Sequence, residues 1–310
     1  MSSGIGYGKT ILFGEHFVVY GFPAIASALA SKTTATVEDS VKYELVDERP
    51  ATPGYKKEKY DEQVQSNKLI YEACGIDIEK TPLKVTLAGD LKAASGVGAS
   101  AASAAAIARA LNEHFGLGYD EPRINEVAYE GEKGYHGKPS GIDNTAAVYG
   151  GLIWFQKNLS GGANTMDLLR MPKPVEIVLG NTGLTSSTKE VVEDVKNARE
   201  ADRKKYDKIF SDYSEIAAAA KASLLKGDMK AVGYLMDKNH ELLQEMGLSC
   251  DELEELVDAA NENGALGAKL TGTGRGGLMI ALTPGKVLQE KVANAIEKEG
   301  YEAYRTKIGV

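Results

Sequence analysis

The chain has 310 residues, 43% hydrophobic and 26% charged, with a formal net charge of −8. That length suits two domains better than one core, and the negative balance argues against nucleic acid as the main partner. No run approaches the roughly 18 apolar residues of a membrane span, and Cys74 and Cys250 are too few for a disulfide scaffold, which points to a reduced cytoplasmic setting.

The opening MSSGIGYGKTILFGEH has no apolar stretch of signal-peptide length, so a flexible start followed by a strand at Thr10 to Phe13 is expected. Phe17 to Tyr20 (FVVY) reads as a second short strand after the turn Gly14-Glu15-His16. The charged stretch Val46 to Lys59, with Pro50 and Pro53, reads as a surface excursion. Glu62 to Cys74 has helical periodicity and stops at Gly75; Leu83 to Ala88 alternates as a strand. Lys92 to Phe115 (KAASGVGASAASAAAIARALNEHF) is a glycine loop running into an Ala-rich helix, followed by a helix over about Pro122 to Tyr135. Pro139 and two glycines keep HGKPSGIDN, 136–144, a turn, and Gly151 to Phe155 is a strand. The polar segment Asn158 to Pro174 holds the domain boundary. Beyond it come a strand at Val175 to Leu179 and helices over Lys189 to Phe210, Ser214 to Leu225, Met229 to Met246 and Cys250 to Asn263. The run AKLTGTGRGGLMIAL reads strand, loop, strand, before a helix (Leu288 to Glu299) and a strand (Tyr301 to Ile308). Strands and helices mix without a βαβ repeat, so the class is α+β with two domains, 1–168 and 169–310.

Gly96 and Gly98 ahead of the Ala-rich helix bring backbone N–H groups to the positive end of its dipole, a setting that takes phosphate. A plain glycine loop with a serine cap fits this stretch equally well. Ser95, Ser100 and Ser103 supply hydroxyls for capping, phosphate or Mg²⁺. SGIGYGKT is not a P-loop, because the position five before Gly8 is Ser3 and no strand precedes it. Gly272, Gly274 and Gly277 match GxGxxG but lead into a strand where the dinucleotide fingerprint needs a helix. Asp143 sits in a constrained turn, where it either caps that turn or takes a proton from a substrate hydroxyl. Glu132 reads as solvated, or with a Ser hydroxyl as a Mg²⁺ ligand; Lys9 reads as solvated, or as the cation that keeps a base ionised. Glu15 and His16 form a polar turn that either packs or walls a pocket. Thr188 reads first as an N-cap, with Val191 and Val192 in the core, and second as a ligand contact; His240 reads as packed between helices.

Together, GKTILFGEHFVVYG, SGVGASAA, HGKPSGIDN, SSTKEVV, LMDKNHELL and AKLTGTGRGG resemble, in order and over nearly the whole chain, the GHMP kinases and within them the mevalonate kinase family. PSGIDN is the specific element; the glycine motifs mark only the superfamily. The resemblance implies a two-domain α+β fold with the active site in the inter-domain cleft and a nucleotide-binding N-terminal domain. It implies ATP-dependent phosphorylation of the 5-hydroxyl of mevalonate to 5-phosphomevalonate, in isoprenoid biosynthesis. Asp143 would be the catalytic carboxylate and Lys9 its cationic neighbour, with Ser100 and Glu132 holding Mg²⁺. Ser95, Gly96, Val97, Gly98, Ala99 and Ser100 would cradle ATP, and Glu15, His16 and Thr188 would face mevalonate or the catalytic pair. The chain departs from the pattern at Tyr7, Ala99, Leu278 and Arg275, the last placing a guanidinium in the third glycine loop. A sister kinase for another small alcohol, such as phosphomevalonate or a sugar, and a catalytically silent nucleotide-binding protein are the rival readings. No membrane partner is expected, and a homodimer stays open.

Overall fold

The computed structural model describes residues 1–93 and 96–310, so Ser95 lies outside the described residues. Two compact units divide the chain, Met1–Lys9 with Ala28–Gly150 and Thr10–Ser27 with Gly151–Val310.

The first unit carries, in chain order, β1 (Ser2–Phe13), β2 (Pro23–Asp39), β3 (Glu44–Asp47), α1 (Tyr55–Glu58), α2 (Tyr60–Ala73), β4 (Leu83–Gly89), α3 (Ala99–Phe115), α4 (Glu121–His136) and α5 (Ile142–Tyr149). The first residues of β2 and the last of β1 belong to the second unit. β2 pairs with β1 and, antiparallel, with β4, setting Val37 opposite Val85, while β3 runs parallel to β4. The start of the chain is strand, where a flexible lead was expected. The reason is its alternate glycines. A Cβ on Gly4 would lie 2.3 Å from Ala106 O and one on Gly6 2.1 Å from Ala102 O, so β1 rests directly on the α3 backbone. Alanine serves α3 in the same way: eleven of its residues are buried, and small side chains let its neighbours approach from several sides. Gly134 of α4 likewise meets the Ser66 backbone of α2. Arg109 locks the layer by donating to Ile5 O at 2.6 Å and Val148 O at 2.8 Å.

The stretch 46–59 is no mere excursion. It carries the end of β3, the buried Arg49 and the short α1, and Ala93 N donates to Pro50 O at 2.7 Å. HGKPSGIDN also differs from expectation, since α5 begins inside it at Ile142, capped by Gly141 at φ 89°. Proline keeps only its first half out of helix.

The second unit carries β5 (Leu152–Gln156), β6 (Thr165–Leu169), β7 (Val175–Asn181), α6 (Thr188–Ala201), α7 (Arg203–Lys226), α8 (Met229–Glu245), α9 (Asp251–Glu262), β8 (Ala268–Thr271), β9 (Leu278–Leu282), α10 (Lys286–Lys298) and β10 (Glu302–Ile308). β10, β7, β9 and β8 neighbour one another in that order, all antiparallel. β5 joins Pro23–Ser27 of β2 on one side and β6 on the other, and the junction expected at 168/169 falls inside β6. FVVY is a 3₁₀ turn and not a strand, because Gly14, His16 and Gly21 all take positive φ and curl the chain. The curl buries Phe17 flat on Tyr213 of α7, ring centroids 3.8 Å apart, and the Tyr213 hydroxyl donates to Pro23 O. The expected helix over Lys189 to Phe210 breaks at Asp202, whose carboxylate caps α7 by accepting from Lys205 N at 3.0 Å. No break follows Phe210, since Tyr213 is buried in mid-helix and holds α7 continuous.

Among the described residues no helix is long and apolar enough to cross a membrane.

Candidate active site

Within the first unit, four of the expected residues converge. Lys9 leaves β1 beside the glycine loop, its backbone N donating to Val97 O at 2.8 Å. A Cβ on Gly98 would lie 2.7 Å from Lys9 Cγ, and Gly98 has φ 69°, so glycine is required there on both counts. Gly96 is also left-handed at φ 90°, and among the described residues no side chain caps α3 at Gly98. A helix start of this kind, with its first N–H groups and dipole end at a glycine loop, can take an anion. Lys9 Nζ stands 3.3 Å from Asp143 Oδ1, the two side chains being 13% and 31% exposed.

Asp143 lies in the first turn of α5, where the helix dipole favours a carboxylate. Its neighbours fix that turn. Ile142 N donates to Ser140 Oγ at 3.3 Å, and Asn144 Nδ2 donates to Asn125 Oδ1 of α4 at 2.8 Å. The serine and asparagine of PSGIDN therefore aim the aspartate.

Glu132, 1% exposed, has no hydrogen-bond partner of normal geometry on either carboxylate oxygen among the described residues. Burial first, then the charge of Asp143, pushes its pKa up to about 8, against the pull of the Ser100 hydroxyl and Lys9. Lys9, Ser100, Glu132 and Asp143 are thus one electrostatic group, contributed by β1, α3, α4 and α5.

Two members of this region were not legible as such. His136, one turn past Glu132 on α4, puts Nε2 3.8 Å from Glu132 Oε2, and burial lowers its pKa. Its place in HGKPSGIDN was the available signal. Arg49 is buried under the first turn of α3. Its Nη1 donates to Ala99 O at 3.1 Å and Ser103 Oγ at 2.7 Å, while Nη2 donates to Asp47 Oδ2 at 2.6 Å. Ser103 is thereby a structural serine. Only the adjacency of Asp47 hinted at Arg49.

In the second unit, Glu15, His16 and Thr188 gather with strand β8 and the loop after it. Lys269 Nζ, fully buried, donates to Glu15 Oε1 at 2.5 Å and to Leu270 O at 2.6 Å. His16 Nε2 donates to Thr273 O at 2.7 Å, which makes the ring's Nδ1 an acceptor while the ring is neutral, and burial lowers the pKa. The Thr188 hydroxyl pairs with that of Thr273 at 2.7 Å, and Ser186 Oγ donates to Gly274 O at 2.7 Å. The α6 cap is Ser187, whose hydroxyl accepts from Glu190 N at 3.4 Å; Thr188 is the first helical residue.

The motif LMDKNHELL has a role of its own. Asp237 Oδ1 accepts from Ala268 N at 2.8 Å and His240 Nδ1 from Leu270 N at 3.3 Å. Side chains three apart on α8 thus satisfy alternate amides of β8, the end strand of its row, and His240 caps a strand rather than merely packing between helices. Arg275, at φ 54°, turns its guanidinium to Asp194 at 2.5 Å and Gly247 O at 3.1 Å.

Comparison with known proteins agrees with these motifs. The GHMP kinases N terminal domain matches residues 64–151, and the GHMP kinases C terminal domain matches residues 220–302. A mevalonate kinase of Thermococcus sibiricus is 34% identical over 97% of this chain and 94% of its own length. One from Pyrococcus horikoshii is also 34% identical, covering 94% and 91%. The crystal structure of L. major mevalonate kinase in complex with R-mevalonate superposes with a TM-score of 0.94 at 37% identity, covering 99% of this chain and 96% of that one. With its glycine loop, its Lys9–Asp143 pair and relatives matched nearly end to end, the chain belongs to the GHMP kinases and, within them, to the mevalonate kinases.

Proposed function

We propose that the chain transfers the γ-phosphoryl group of ATP to the 5-hydroxyl of R-mevalonate, giving 5-phosphomevalonate and ADP. The observation that carries this reading is the Lys9–Asp143 pair at 3.3 Å beside the N-terminus of α3, whose N-cap is Gly98. Phosphoryl transfer asks for positioning and charge stabilisation more than for covalent help. The backbone from Gly96 to Ser100 holds the phosphates. Asp143 orients the 5-hydroxyl and receives its proton as the new O–P bond forms and the bond to the ADP oxygen breaks. Lys9, 3.3 Å from Asp143, offsets charge on the transferring group. Glu15, His16 and Thr188 contact mevalonate.

Mg²⁺ fits Ser100 and Glu132, because a buried carboxylate with no partner of normal geometry among the described residues, beside a hydroxyl, suits a hard, oxygen-seeking cation. Bound there, it would neutralise phosphate charge. Cys74 and Cys250 are free thiols, which supports the cytoplasm as the working compartment.

The test is ADP release with ATP and a panel of mevalonate, phosphomevalonate and galactose. Turnover confined to mevalonate is expected; a preference for either other alcohol would move the chain to a sister activity.

A further inference from the structure

Lys269 is a fully buried lysine that the reaction above does not use. Desolvation disfavours its charge and lowers its pKa, and Glu15 is the carboxylate that opposes this. A pair of apolar side chains of similar size would fill the same space without that cost. The geometry around the pair suggests what it does. Glu15 is followed by His16, one of two non-glycine residues held at positive φ among the described residues, at 61°. Such a backbone persists only where its surroundings over-determine it. Lys269 holds one side through Glu15 Oε1, and the Thr273 carbonyl holds the other through His16 Nε2. Strand β8, which carries Lys269, is itself pinned from its far side by Asp237 and His240.

We infer that Lys269 is a positioning residue for substrate binding: through Glu15 it locks the Gly14-Glu15-His16 turn onto β8, keeping His16 in one conformation and one tautomer. The inference rests on the proposed contact of Glu15 and His16 with mevalonate, and adds the residue that sets their geometry.

Two measurements on the full-length protein test it. In ¹⁵N-histidine NMR, wild-type His16, assigned with His16→Gln, should show distinct protonated Nε2 and bare Nδ1 signals. Lys269→Met should average them, and Lys269→Arg should largely restore them. An unchanged His16 signature in Lys269→Met overturns the inference whatever substrate the enzyme uses. The second measurement is kinetic and guards against a variant that fails to fold. The double variant Glu15→Gln/Lys269→Met removes both buried charges, so its melting temperature should return to within a few degrees of wild type. Its KM for mevalonate should nevertheless stay at least about tenfold high, with ATP affinity unchanged within about twofold. Recovery of KM along with stability would make the pair a structural filler and overturn the inference. Absence of mevalonate turnover in the wild type would instead count against the proposed substrate, leaving the NMR result to decide for or against Lys269.

Discussion

Lys9 faces Asp143 across 3.3 Å with both side chains partly open, whereas Lys269 grips Glu15 at 2.5 Å with side chains 0% and 1% exposed. The functional groups are the same. Environment separates their uses. An open pair beside a helix N-terminus can exchange a proton with a third molecule and follow charge as it moves. A sealed pair can do neither; it fixes where its backbone goes. The largest expected effect tests the open pair. Asp143→Asn keeps the shape and removes the charge, so kcat should fall by about 10²–10⁴-fold while ATP affinity stays within about twofold. Steady-state kinetics with a separate nucleotide titration measures both. Near-normal turnover would make the open pair as structural as the sealed one.

Glu132 stands between these cases, buried like Glu15 yet, among the described residues, without a hydrogen-bond partner of normal geometry on either oxygen. Its folded-state pKa is raised from 4.5 to about 8, so the folded chain holds a proton that the unfolded chain has released across that window. The associated stability is full below the lower value and is lost as pH rises through the upper one. Glu132→Gln abolishes this titration. At about pH 9, without nucleotide, the variant should melt above wild type, roughly 2–4 °C for each kcal/mol relieved, and the advantage should vanish near pH 5. Activity should move the other way, down at least about tenfold, because the amide no longer offers a carboxylate to a cation. Equal melting curves at both pH values would mean that Glu132 is hydrated or already paired.

How far such distinctions can be read from sequence depends on how local their causes are. The glycine loop, the α3 helix and PSGIDN announce themselves because each is a short run whose backbone demands are written in adjacent residues. Lys9, Ser100, Glu132 and Asp143 were legible because each sits in or beside such a run or helix. The burial of Lys269 was not, since its partner is 254 positions away. Arg49 stayed hidden for the same reason, with Ala99 and Ser103 some fifty positions on. FVVY misled because β-branched composition favours a strand, while three positive-φ residues and a place for Phe17 on Tyr213 decided for a turn. The α6–α7 break was legible in principle, as Asp202 is a good cap, but helical periodicity continued across it and masked the stop.

Ser100→Ala asks a smaller question of the open site. If its hydroxyl is a cation ligand, the Mg²⁺ concentration for half-maximal rate should rise several-fold, while kcat at saturating Mg²⁺ stays close to wild type. An unshifted Mg²⁺ titration would assign Ser100 to the helix alone.

The smallest effect is expected at a third ion pair, Arg275 with Asp194, which lies at the surface with side chains 39% and 53% exposed. An arginine in the third glycine loop invites the reading that it reaches for phosphate, yet its guanidinium is held by Asp194 and by Gly247 O. Two modest terms oppose each other in Arg275→Gly. Left-handed backbone costs a non-glycine residue about 1–2 kcal/mol, which glycine relieves, while losing an exposed ion pair costs up to about 1 kcal/mol, and glycine's freedom in the unfolded chain takes back part of the gain. Stability should therefore change by no more than about 1 kcal/mol, and KM for ATP should stay within about twofold. A fivefold or larger rise in KM for ATP would mean that the guanidinium leaves Asp194 for the nucleotide during turnover, and that surface pairs in this chain, too, can serve the reaction.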